Sequence, residues 1–166
     1  MRNWMFIFFV IPLTMYGRID CEYMGHVQQR VIKKIHSKYQ CSCFGTGGAA
    51  FYDVDKIFLS FQLYKILSEM DARKTLLDVA DIFIATINED KIIRPFLRRY
   101  PASTRSINIG LRFPDQEGEI CSISLYGDSV TAYKYFKGDY NTVIYFHETY
   151  EELLQKIAEA KLEMKI

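Results

Sequence analysis

Residues 106–146 read SINIGLRFPDQEGEICSISLYGDSVTAYKYFKGDYNTVIYF, and this stretch decides the fold. Four short runs rich in β-branched and aromatic residues stand out: Ser106–Phe113, Ile120–Tyr126, Val130–Phe136 and Thr142–Phe146. Asp115-Gln116-Glu117-Gly118, Gly127-Asp128 and Lys137-Gly138-Asp139 separate them. Alternating runs joined by tight polar turns predict an antiparallel four-strand meander. One face of such a sheet needs cover, and the chain just upstream supplies it. Between Glu69 and Ile87, the residues Leu76, Leu77, Val79, Ala80, Phe83, Ile84 and Ile87 form a wide apolar stripe at helical spacing. Ser68, followed three positions later by Asp71, reads as the cap that opens this central helix.

Outward from this pair, Asp55–Ile66 places Ile57, Leu59, Phe61 and Leu63 at alternate positions, which predicts a strand with one buried face. A helix competes there, because the stretch has no internal breaker. Val27, Val31, Ile32, Ile35 and Tyr39 predict an amphipathic N-terminal helix, and Leu153, Leu154, Ile157 and Leu162 a C-terminal one after Thr149. Pro95 and Pro101 keep Ile92–Tyr100 from continuing the central helix. The expected class is α+β: a long helix packed on an antiparallel meander of four to five strands, with N- and C-terminal helices. A strand, a helix and then four antiparallel strands is also the cystatin-like order of elements. The cystatin inhibitory motif Gln-x-Val-x-Gly is absent from the sequence.

Composition bounds the function classes. The 166 residues have room for one domain of ordinary size, and 21 Lys and Arg nearly balance 20 Asp and Glu. No global field points to nucleic acid or to a strongly acidic membrane, which leaves the partner class open, with another protein as one candidate. Arg2 followed by the apolar run Trp4–Met15 reads as a signal peptide, with cleavage expected between Gly17 and Glu22. The expected division is therefore a leader at 1–20, an N-terminal helix with a Gly-rich connector at 21–50, and an α+β domain at 51–166. The leader predicts a secreted, periplasmic or envelope protein with no stable membrane span in its mature form.

In an oxidising compartment Cys21, Cys41, Cys43 and Cys121 become disulfide candidates. Cys41 and Cys43 are too close in sequence for an unstrained bridge, so pairing of either one with Cys121 or Cys21 is expected. Three other readings of residues 41–48, CSCFGTGG, are weaker. A zinc site built from His36, Cys41 and Cys43 with Cys121 or His26 lacks the usual Cys-x2-Cys spacing. A phosphate cradle at Gly45–Gly48 lacks the following Lys and Ser or Thr, and Asp53 and Asp55 would repel the ligand. A thiol nucleophile with His147 as its base has no local signature.

Leu59-Ser60-Phe61, Asp71-Ala72-Arg73, Ile87-Asn88, Ile93-Arg94-Pro95-Phe96-Leu97, Tyr100-Pro101 and Ile107-Asn108-Ile109 carry a resemblance. Over roughly residues 40–136 the chain resembles a family of short, uncharacterised exported proteins of chlamydia-related and other intracellular bacteria. That resemblance implies export and no particular chemistry.

Arg94, Arg98, Arg99 and Arg105 cluster with Lys91, Phe96 and Tyr100, and form the candidate interaction surface. A solvated face balanced by Asp78, Asp81 and Glu89 is the bland alternative. With no triad, paired-carboxylate signature, metal set or cofactor motif, the expected function is non-enzymatic binding. A thiol-dependent hydrolase and a cystatin-like protease inhibitor are the alternatives.

Overall fold

The computed structural model describes residues 21–50, 53–137 and 141–163. Residues 1–20, read above as a leader, and Gly138-Asp139 of the last turn lie outside the described residues. The elements run α1 (Cys21–Tyr39), β1 (Ser42–Ala50), β2 (Val54–Gln62), α2 (Glu69–Glu89), β3 (Ile107–Arg112), β4 (Ile120–Tyr126), β5 (Ser129–Phe136), β6 (Asn141–Thr149) and α3 (Tyr150–Glu163). Two short 3-10 turns, Arg94–Phe96 and Thr104–Ser106, interrupt the connection between α2 and β3. Ser68 caps α2 as its spacing predicts, its hydroxyl accepting from the Asp71 amide.

The strands form one sheet in sequence order, β1 to β6. Every neighbouring pair is antiparallel except β2 and β3, which are parallel. Two expectations are corrected here. An all-antiparallel sheet fails because α2 carries the chain back along the sheet, so that β3 starts at the same end as β2. The Gly-rich connector is instead strand β1, paired with β2 along most of its length.

Glycine weakens a strand by itself, but here it makes room. The Phe58 ring lies against the positions where Cβ atoms of Gly45 and Gly47 would project. On the other face, a Cβ on Gly48 would come within 3.0 Å of both the Lys56 carbonyl and the Met24 sulfur of α1. Gly48→Val is therefore expected to push α1 off β1, at a cost of about 1–3 kcal/mol in denaturant unfolding.

All three helices lie on one face of the sheet. Val31 and Ile35 of α1, Phe83 and Ile87 of α2 and Leu153 of α3 belong to one buried core with Leu59, Leu111 and Ile123. On the opposite face the strand registers align Gly45, Ser60, Gly110, Ser124, Thr131 and His147 in a row across the sheet. Short side chains keep this face low, and the larger Phe58 and Tyr126 project beside the row with 37% and 65% exposure.

An ionic lock joins α2, β6 and α3. Arg73, nearly fully buried, donates to both carboxylate oxygens of Glu148 at 2.8 and 3.1 Å and stacks over the Phe146 ring. Glu69 and Lys156 complete the group through ion pairs to Arg73 and Glu148. Burial alone would push the Glu148 carboxyl up, but the hydrogen bonds from Arg73 and Lys156 outweigh it and hold the group below the usual carboxylate range.

The disulfide expectation is also corrected. Cys41, Cys43 and Cys121 are free thiols. Cys121 lies on β4, three strand spacings or about 14 Å from β1, whereas a bridge needs Cα atoms within about 7 Å. Cys21 opens α1 and Cys41 follows its far end, so the length of a 19-residue helix, about 28 Å, separates them. Cys43 lies only two residues beyond Cys41, which leaves it out of reach of Cys21 as well.

Candidate functional site

The connection between α2 and β3 wraps the end of the sheet where β2 and β3 begin and β4 ends. Three sets of buried contacts clamp it. Asp90, at the end of α2, accepts from the amides of Ile92 and Ile93, from the Tyr23 hydroxyl at 2.7 Å and from Arg30 at 2.5 Å. Burial alone would raise the Asp90 carboxyl, but these donors hold it below the usual range. Val54, at the start of β2, accepts from the Arg98 amide at 3.0 Å and bridges to Leu97. Asn88 exchanges two hydrogen bonds with the backbone of Ala102. With Ile93 and Ala102 buried as apolar plugs, the segment is held at its start, middle and end.

That clamping aims the arginines outward. Arg94 stacks on the exposed Tyr100 ring at 4.4 Å from the centroid. Arg98 reaches Asp55 at 3.7 Å, a long pair with the guanidinium still 61% exposed. Arg105 pairs with Asp128 in the turn after β4 at 2.5 Å, and Arg99 adds its field to the same carboxylate. The hydroxyl of Thr104 and the Arg105 guanidinium, as donors, hold Asp128 below the usual carboxylate range. Lys56 lies over the ring of Tyr126, 4.6 Å from its centroid, and so joins this end to the margin of the open sheet face.

Sequence spacing identified Arg94, Arg98, Arg99 and Arg105, and the fold places all four at this end. It did not identify Lys56 and Tyr126, which are 70 residues apart in sequence and meet only because β2, β3 and β4 are neighbours. Nor did it identify Asn88 and Asp90 as clamps, since polar residues after an apolar stripe read only as the end of a helix. Two of the three balancing acids named from the sequence are engaged elsewhere: Asp78 pairs with Lys38, and Glu89 with Lys34, both on α1. At this end the cations Lys56, Lys91, Arg94, Arg98, Arg99 and Arg105 face the carboxylates Asp53, Asp55 and Asp128 and the buried, already engaged Asp90, which leaves a modest excess of positive charge. Charge-bearing forks beside exposed aromatic rings suit carboxylates, which guanidinium groups bind in bidentate fashion.

The thiols occupy a different setting. Cys41 and Cys121 are buried, Cys43 packs against the core, and burial pushes all three thiols up, away from the thiolate form that a nucleophile needs. His36 meets the Cys41 carbonyl at 2.6 Å, not its sulfur. His147 faces the hydroxyls of Thr131 and Ser129 on β5 at 2.9 and 3.4 Å. Among the described residues no group of His, Cys, Asp and Glu is placed to hold a metal ion, and no helix is long and apolar enough to cross a membrane. No family model matches the chain, and neither does any curated protein or solved structure.

Proposed function

We propose that this is an exported, non-enzymatic binding protein of the envelope or extracellular space, and that it holds an acidic segment of a partner protein at the arginine end of its sheet. One observation carries the reading: a clamped connection presents Arg94, Arg98 and Arg99 beside Tyr100 while Lys56 and Tyr126 extend the same surface. The clamped backbone of the connection has little conformational entropy left to lose on binding, so the ordering cost falls on the exposed side chains alone. The internal pairs at this end are exposed, and exposed ion pairs contribute only about 0–1 kcal/mol, so a partner's carboxylates can displace them cheaply. The buried thiols, with their raised titration range, weigh against the thiol-hydrolase alternative.

The test is an amide-resolved NMR titration with a synthetic peptide of alternating glutamate and tyrosine. Shifts are expected to concentrate at Lys56, Arg94–Tyr100, Arg105 and Tyr126, with affinity falling steeply as salt is added. The double variant Arg98→Glu and Arg99→Glu, both at exposed positions, is expected to weaken binding at least tenfold with the fold intact. Shifts that map to α1 or α3, or binding unchanged in the double variant, would refute the assignment.

A further inference from the structure

The two edges of the sheet are treated differently. At β1 the edge is covered: Gln28 of α1, itself buried, donates to the Gly47 carbonyl at 2.7 Å, and Met24 lies against Gly48. At β6 nothing equivalent is found among the described residues. Among the described residues, no hydrogen bond reaches the main chain of Thr142–Ile144 from the side away from β5. Val143, Ile144 and Tyr145 are 50%, 59% and 44% exposed, and Phe136 stands exposed on the neighbouring strand.

Natural edge strands are guarded by lysine, proline, an inward charge or a bulge. Asn141–Phe146 contains no charge and no proline. One guard is present, a bulge at Tyr145, where Phe146 pairs with Ala132 and Ile144 with Tyr133. It confines any pairing to the straight run Asn141–Ile144. Within that run an antiparallel copy is self-complementary: a two-fold axis at Val143 sets Val143 against Val143 and Thr142 against Ile144, with no like charges opposed. A two-fold contact of this kind is isologous and closes on itself.

We propose that β6 pairs antiparallel with β6 of a second copy about Val143, extending the sheet across the dimer. The contact is shorter than a standard interface of about 1,600 Å², so the dimer is weak and concentration-dependent. It lies away from the arginine end, which stays free to bind in both copies.

Hydrogen exchange of the full chain tests this from low micromolar to millimolar concentration. Those amides within Thr142–Ile144 that point away from β5 are expected to gain protection as concentration rises, and the gain is expected to vanish in Val143→Lys, which would oppose two charges at the axis. Val143→Cys is expected to form a disulfide-linked dimer under mild oxidation, because the two sulfurs would face each other. Protection that does not depend on concentration, or that depends on it equally in Val143→Lys, would overturn the proposal. So would a Val143→Cys chain that stays monomeric on oxidation.

Discussion

Replacing Glu148 with alanine is expected to cost about 3–5 kcal/mol, read as a fall in the urea midpoint. Glu148 is only 4% exposed and neutralises Arg73, only 3% exposed, through two hydrogen bonds, while it also accepts from Lys156. Removing the carboxylate leaves a guanidinium enclosed by α2, β6 and the Phe146 ring with only Glu69 as a counter-charge. Glu148→Gln keeps the shape and one acceptor, so a smaller loss is expected. The same lock sets an acid limit on stability. The Glu148 and Glu69 carboxyls lie below the ordinary glutamate value of 4.5 in the fold, since the hydrogen bonds they accept outweigh their burial. Their contribution is complete above that value and is lost as pH falls through the depressed folded-state range. Unfolding free energy is therefore expected to drop on acidification below about pH 4.5, and to drop less in Glu148→Gln. A variant with the same acid slope as the wild type would show that the lock is not its source.

Phe83→Ala is expected to cost about 3–5 kcal/mol, through lost transfer energy and an unfilled cavity. Phe83 is fully buried near the middle of α2, on the stripe that seals the sheet. Because α2 is the middle helix, with α1 and α3 both packed against it, neither neighbour can collapse into the gap without leaving its own strands. Leu154→Ala on the exposed side of α3 makes the contrast, since Leu154 is 41% exposed and outside the core, and it is expected to cost under about 1 kcal/mol. Similar losses for the two variants in chemical denaturation would contradict the layer order described here.

The elements were legible in the sequence wherever periodicity coincided with burial. β4 runs from Ile120 to Tyr126 as the alternation predicts, and α2 begins at its Ser68 cap, because local spacing and the core face agree there. β1 was not legible, because its glycines answer to the Phe58 ring and to Met24, neither of which is local. The arginine end was half legible. Its cations lie close together in the chain, but the Tyr23 and Arg30 donors that fix Asp90, the Val54 clamp and the aromatic extension at Tyr126 come from distant segments. The cysteines were misread because an even number of thiols says nothing about the strands that separate them.

By itself the sequence determined the α+β class, the central helix, the meander and the clustering of positive charge, since each follows from side chains within one helical turn or one strand repeat. Tertiary structure alone decided the parallel β2–β3 pair, the strand identity of the glycine run, the isolation of the thiols and the joining of Lys56 and Tyr126 to the arginines. These depend on which strands become neighbours. Strand neighbours are chosen by how α2 returns across the sheet, and no local pattern of residues encodes that path.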